Sequence, residues 1–256
     1  MNNLRAIYSI WLRDLIRYRR DKYRLISSLA QPALFLFVFG NGLARGLAID
    51  VQRTGGGQES YVSFIFPGII GMTLLFTSVF TAVSIVWDRE FGFLKEVMVA
   101  PISRWSIAVG KALGGSTVAL IQGVIVLLLA PFLGLHLSFL TLIALVPLMY
   151  LISISLTSMG IVIAVKMETM EGFQMILNFL VMPIFVLSGA MFPLSSLPPW
   201  LTVLTRVNPL TYGVDALRGL MLGPSLAEFS LGFDVMLLSI FAVIMMFFAV
   251  FLFNRS

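Results

Sequence analysis

Residues 87–104 read WDREFGFLKEVMVAPISR, a charged, helix-compatible stretch set between long apolar runs at 61–87 and 112–133. Each flanking run matches or exceeds the roughly 20 residues an α-helix needs to cross a bilayer. Working outward, apolar stretches also occupy 25–43, 140–165, 174–192 and 235–253. Hydrophobic residues make up 59% of the chain and charged residues 11%, against about a quarter charged in an ordinary soluble domain. A backbone in lipid must satisfy its own hydrogen bonds, which helices do within one segment. The expected fold is therefore an all-α membrane protein with six transmembrane helices. Six spans and their connections use up all 256 residues and leave no room for a folded nucleotide-binding domain.

Composition excludes several chemistries. Cysteine is absent and His136 is the single histidine, so disulfides, thiol catalysis and multi-histidine metal sites are ruled out. A Walker A loop needs Gly, four residues, then Gly-Lys-Ser/Thr. Here Gly110-Lys111 is followed by Ala112, and Trp105 replaces the first glycine. Gly55, Gly56 and Gly57 lie among polar residues and read as a flexible loop. No acidic or basic residue falls deep within an apolar stretch, whereas ion-coupled pumps usually carry them. No catalytic residue, metal site or cofactor is expected in this chain. The net charge of +5 reads as basic residues gathered at membrane edges, not as a nucleic-acid surface. Nothing before Leu25 resembles a signal-peptide core, so the first span is expected to stay in the mature protein.

Residues 1–24 alternate Leu4, Ile7, Tyr8, Trp11, Leu12, Leu15, Ile16 and Tyr18 with seven basic residues. Such spacing describes an amphipathic helix on the membrane surface, either a docking helix for a partner or a lipid anchor that sets topology. With both termini cytoplasmic, Arg5, Arg13, Arg17, Arg19, Arg20, Lys22, Arg24, Arg89, Lys95, Arg104, Lys111, Lys166 and Arg255 all lie inside. Only Arg45, Arg53, Arg206 and Arg218 then lie outside, as the positive-inside rule favours. Spans 1–5 are expected within 25–192 and the sixth within 235–256. Between them, 193–234 is broken by Pro193, Pro198, Pro199, Pro209 and Pro224. Its apolar fragments at 200–204 and 217–222 are too short to span and suit a re-entrant or interfacial arrangement.

Within the opening stretch, Asp88, Arg89, Glu90, Lys95 and Glu96 interleave with Phe91, Phe93, Leu94, Val97 and Met98. This is either a solvated, self-paired face or a short helix with a polar rim and an apolar body that seats in a cleft of a soluble domain. Pro101 stops it, and Ser103 is placed to cap the next helix. Further on, Asn208 before Pro209 reads as a helix start, and Asp215 and Arg218 stand three apart, close enough to pair. These residues serve local capping or contact a cargo. Phe66, Met72, Phe76 and Phe80, with Phe179, Met182 and Phe185, either line a greasy path or pack against helices and lipid. Pro67, Gly68 and Gly71 either kink their helix or permit close packing.

The acidic-basic-acidic start Asp88, Arg89, Glu90, then Gly92, the turn Leu94 to Glu96, and the end Pro101, Ser103, Arg104 resemble the coupling helix of ABC-2 type transporter permeases. Lys95 departs from the family pattern, where an acidic residue often directly follows the leucine. Asn208, Pro209, Leu210, Thr211 and Tyr212, with Asp215 and Arg218 following, are similar to the family's signature before the last span. The resemblance covers essentially the whole chain and is closest to drug-, antibiotic- and lipo-oligosaccharide-type exporter permeases. It implies a plasma-membrane permease subunit, a homodimer served by two cytoplasmic ABC ATPase subunits that bind ATP and Mg. Residues 88–104, including Phe91 and Phe93, would pass ATP-driven closure to the spans. An amphipathic or lipid-like substrate would then cross by alternating access. A polysaccharide or lipid-linked glycan exporter is the alternative within transport, and a membrane scaffold the alternative outside it.

The topology has a direct test, made clean by the absence of native cysteine. A cysteine placed at Gly56 or Ser196 is expected to react with an impermeant maleimide from outside intact cells, and one at Met98 only after permeabilisation. The reverse pattern would overturn the assignment.

Overall fold

The computed structural model describes residues 3–21, 30, 32–36, 38, 61–91, 103–135, 137–194 and 197–255. These residues form helices α1 (Asn3–Arg20), α2 (Tyr61–Thr81), α3 (Val83–Glu90), α4 (Arg104–Leu127), α5 (Phe139–Lys166), α6 (Met170–Val186), α7 (Pro199–Val207), α8 (Pro209–Leu222) and α9 (Leu231–Arg255). Short 3-10 turns follow α4 at Ala130–Leu133 and α8 at Pro224–Leu226.

Four helices among the described residues are long and apolar enough to cross a membrane: Val62–Glu90, Arg104–Leu133, Phe139–Lys166 and Leu231–Arg255. The chain is an integral membrane protein. Most of the stretch at 25–43 lies outside the described residues, as do Gly55, Gly56, Gly57 and His136. The expected fifth span at 174–192 is shifted: α6 begins at Met170 and ends at Val186. The backbone then turns, with Gly189 at φ +71°, and the Ser188 hydroxyl donates to Phe185 O at 2.6 Å. The expected outer segment becomes the two short helices α7 and α8, and α9 starts four residues earlier than the apolar stretch suggested.

Helices α2, α4, α5, α6 and α9 run alternately up and down. α5 packs against α9, α4, α2 and α8, and α8 packs against α9 and α2. α2 with α3 is the central element, 72% buried across its apolar window, whereas α9 is 11% buried and peripheral. Lipid tails are as apolar as leucine, so burial alone does not hold such helices together; close packing and interhelical hydrogen bonds do. Ser78 donates to Ser153 O at 3.2 Å, Ser155 to Leu238 O at 3.3 Å, and Thr77 bonds Gln122 across α2 and α4.

The amphipathic N-terminal helix is docked on the bundle. α1 lies along α4 and buries Ala6, Ile10 and Tyr18, spaced on one face. Leu4, Tyr8 and Ile16, expected on a single apolar face with the rest, are exposed. Trp11 donates its indole N–H to Thr117 Oγ1 at 3.1 Å. The seat is made by two glycines one turn apart. A Cβ on Gly110 would come within 2.9 Å of Ile10 Cβ, and one on Gly114 within 2.9 Å of Asp14 Oδ2. Among the alternatives for α2, close packing holds at Gly68 and Gly71, where an added Cβ would lie 2.7 Å from Ala190 Cα and from Val214 Cγ2 respectively.

Gly110→Leu is expected to force α1 off α4 at a cost of about 1–3 kcal/mol, read as a fall of several degrees in the thermal midpoint of the purified protein. Gly232→Ala, with open space around the position, is the control and should leave the midpoint unchanged. Equal midpoints for both would show that the glycine seat does not hold α1.

Candidate functional site

The end of the bundle that carries α1 holds a compact charged centre. Lys111 sits on α4, 6% exposed, with its ammonium 3.3 Å from Asp88 Oδ2 and 3.6 Å from Asp14 Oδ1. It also donates to Ser84 Oγ at 2.8 Å. Arg13 reaches Asp88 at 3.6 Å and Asp14 at 3.8 Å. Two cations and two carboxylates thus meet from α1, α3 and α4. A buried ammonium without partners is disfavoured by several kcal/mol, so Lys111 is tolerated here because Asp14 and Asp88 surround it. The apolar stretch at 112–133 placed Lys111 outside the membrane segment. The helix instead runs from Arg104, which puts Lys111 two turns inside it.

Both ends of the charged segment at 88–104 are tied down. At its start, Arg89 donates to Met167 O at 3.3 Å, and the Glu90 carboxylate accepts from the backbone N–H of Met170 at 3.2 Å. Met170 opens α6, where unpaired N–H groups and the helix dipole favour an anion. At its end, Arg104 donates to Asn254 O at 2.9 Å and Phe253 O at 3.4 Å, among the last carbonyls of α9, which have no helical partner. Ser103 is the N-cap residue of α4 but makes no side-chain bond to the helix backbone; its hydroxyl pairs with that of Ser106 at 2.6 Å. Phe91 is 73% exposed, its ring 5.6 Å from that of Trp87. Gly92, Phe93, Leu94, Lys95, Glu96 and Pro101 lie outside the described residues.

At the opposite end, the Asn208 to Arg218 motif is a set of backbone locks. Asn208 caps α8 by accepting from Leu210 N at 3.0 Å and donates to Ile184 O at 2.7 Å, which pins α8 to the last turn of α6. Pro209 occupies the first position of α8, where its missing N–H is not needed. Tyr212 donates its hydroxyl to Arg206 O at 2.6 Å. Asp215 and Arg218, three apart, do not pair. Asp215 accepts from Glu228 N and Phe229 N at 2.9 and 2.8 Å, and Arg218 donates to Gly189 O at 2.8 Å while lying 4.1 Å over the Phe64 ring. Each is captured by a chain segment folding back against α8. Burial lowers the Arg218 pKa to about 10, against the opposing effect of Asp215, so the guanidinium stays charged at neutral pH. Asp234 is a group that sequence reading missed. It lies in the first turn of α9 and is fully buried, with neither carboxylate oxygen hydrogen-bonded.

The greasy-path candidates do not gather in one place. Phe66 and Phe185 are core residues, and Phe179 and Met182 are exposed at 85% and 46%. Met72 and Phe76 line a cavity of about 480 Å³ between α1, α2, α3, α4 and the start of α6. The signal for that cavity was present in the sequence but unread: Thr73, Thr77, Thr81 and Ser84, spaced three and four apart, form a polar stripe on α2 and α3.

The sequence profile of the ABC-2 type transporter family matches residues 5–222. The chain is 31% identical over 217 residues to a Cyanophora paradoxa protein named as a transport permease, ycf38, which covers 84% of this chain and 73% of that protein. It is 27% identical over 218 residues to nodulation protein J of Rhizobium leguminosarum bv. trifolii, covering 84% and 80%. An Escherichia coli K12 protein named as a multidrug ABC transporter permease, YbhR, is 31% identical over 170 residues, 63% of this chain and 44% of that protein.

Removing the Lys111 ammonium should unfasten α1. Lys111→Met is expected to cost about 1–3 kcal/mol, because it removes the buried partner of Asp14 and Asp88 and leaves Arg13 as their cation. Adding Asp14→Asn and Asp88→Asn should recover part of that loss, so the combined variant is more stable than the sum of the single changes. Strict additivity in unfolding measurements would show that the four groups do not act as one centre.

Proposed function

This chain belongs to the ABC-2 type transporter family, and on that premise we propose that it is an exporter permease that moves amphipathic or lipid-like molecules by alternating access. Membership makes it the membrane subunit of a transport system that associates with an ABC ATPase. The finer reading is ours. Two copies of this chain pair with two ATPase subunits, which bind ATP and Mg, and the end that carries α1 faces the cytoplasm of a plasma-membrane protein. Residues 88–104 are the contact through which closure of the ATPase reaches the spans.

One observation supports the coupling role above the rest. The start of this segment is bonded to α1, α4 and the α5–α6 connection, through Asp88, Arg89 and Glu90, and its end to α9 through Arg104. A charged surface loop with no mechanical role needs no such bracing. A displacement of either described end acts on several packed helices together, and packed elements shift between discrete arrangements more readily than they deform.

The test is the ratio of transport to ATP hydrolysis in the complex reconstituted with its ATPase. Truncating a buried interface aromatic can cost a few kcal/mol, whereas a rim charge often costs little. Phe93→Ala and Gly92→Pro are therefore expected to abolish transport while leaving membrane insertion normal, with Lys95→Ala mild and Arg104→Ala between them. A ratio held at the wild-type value by both Phe93→Ala and Gly92→Pro would sink the coupling role. ATP-driven uptake of a sugar phosphate or an inorganic ion would sink the cargo class.

A further inference from the structure

Resting on the exporter reading, we infer that the cavity between α1, α2 and α4 binds the head of an uncharged amphiphile rich in hydrogen-bond donors, above all hydroxyl groups. The cavity volume of about 480 Å³ is within the range of small-molecule sites. What selects the ligand is the polar stripe along one side. Thr73, Thr77, Thr81, Ser84 and, from α4, Gln122 all line it. The four hydroxyls rise over about 16 Å of helix at 1.5 Å per residue.

The direction of their bonds decides what the stripe offers. Thr73 donates to Ile69 O at 2.9 Å, Thr81 to Ser78 O at 2.7 Å and Ser84 to Thr81 O at 3.0 Å. Thr77 donates to the Gln122 side-chain oxygen. Each hydroxyl hydrogen is therefore turned into the protein. A hydroxyl has one donor and two acceptor lone pairs, so these four hydroxyls present acceptors, and a ligand that pairs with them must bring the donors; the Gln122 and Gln174 side-chain amides line the same space. The break between α2 and α3 at Ala82 lies between Thr81 and Ser84, whose hydroxyls bond the carbonyls three residues back, as such groups do where a helix bends.

Charge argues for a neutral head. The cation that reaches the stripe, the Lys111 ammonium on Ser84, is already matched, since Lys111 and Arg13 balance Asp14 and Asp88. The other charged residues of the lining, Arg17 and Asp21, are one of each sign, so a charged head entering this space would lose hydration with no surplus countercharge to replace it. An apolar side runs beside the stripe: Met72, Phe76, Phe80 and Val118 line the same cavity, and the Phe76 and Phe80 rings stack with centroids 6.3 Å apart. Hydroxyls on one side of the ligand and methylenes on the other satisfy both.

The experiment uses the full chain in lipid nanodiscs and three photoprobes with one octyl chain bearing a diazirine: the glucoside, the same glucoside with every hydroxyl methylated, and the trimethylammonium. Crosslinks are mapped by mass spectrometry. The glucoside is expected to label Met72, Phe76 or Val118 at least about fivefold more than either comparator, the size of effect a net hydrogen bond gives. Thr77→Val and Thr73→Val should each reduce that labelling about threefold or more. Thr73 is the safer variant, because its hydroxyl bonds only its own helix, and an unchanged thermal midpoint verifies the fold. Equal labelling by the methylated probe, stronger labelling by the ammonium, labelling confined to other sites, or undiminished labelling in a folded Thr73→Val protein would each overturn the inference. The readout needs neither ATP nor a partner. Labelling as expected without ATP-driven export of any amphiphile would reject the exporter reading alone, and intact export without the hydroxyl preference would reject the cavity assignment alone.

Discussion

Lys111 is the group on which the α1 end of the structure depends. An ammonium buried two turns inside a membrane helix must have counterions, and they arrive from two other helices, Asp14 on α1 and Asp88 on α3. Asp14 cannot reach it unless α1 lies close along α4, which Gly110 and Gly114 allow by presenting no side chain at the contact. Charge, backbone proximity and helix placement are therefore one requirement. The need is sharper in lipid than in water, because the bilayer supplies neither an ionic partner nor a hydrophobic force between helices.

The same centre links two features that look separate along the chain. Asp88 is both a counterion of Lys111 and the first charged residue of the segment at 88–104. The N-terminal helix α1, the central α2–α3 element and the start of that segment consequently form one mechanical unit. The other end of the segment is joined by Arg104 to carbonyls at the end of α9, on the periphery. At the far end of the bundle the logic is different. Asn208, Asp215 and Arg218 hold irregular backbone, at Ile184, Gly189 and Glu228 to Phe229. Buried backbone outside a helix needs such partners for its polar groups. Ionised groups serve geometry at both ends, joining helices at one and securing turns at the other.

The cavity is positioned by these same contacts. Its lining includes Asp14, Arg17 and Trp87, with the Arg17 guanidinium 5.7 Å over the Trp87 ring. Any movement that loosened α1 from α4 would reshape its wall, so the charged centre that braces the start of the segment at 88–104 also borders the space assigned to ligand.

The sequence by itself determined the class of the protein. Lipid forces each spanning segment to satisfy its own backbone, so a span is a local property, readable from length and hydropathy as at 61–87 and 140–165. The charged run at 87–104 and the Asn208 to Tyr212 motif were legible for a similar reason, since each is a short order of residue types. Boundaries were less legible: the helix at Arg104 extends past Lys111, and that at Leu231 includes Asp234, because a helix continues through a polar residue once tertiary partners or an N-terminal turn accommodate it. Partners were not legible at all. Asp215 and Arg218 stand at pairing distance in sequence, yet each bonds a segment elsewhere in the chain. The hydroxyls at 73, 77, 81 and 84 share a face that mean hydropathy does not mark, since threonine and serine lower the hydropathy of so apolar a segment only slightly; their spacing was the signal. Which way a membrane helix turns is set by the shape and hydrogen bonds of its neighbours, and only the tertiary structure brings those neighbours together.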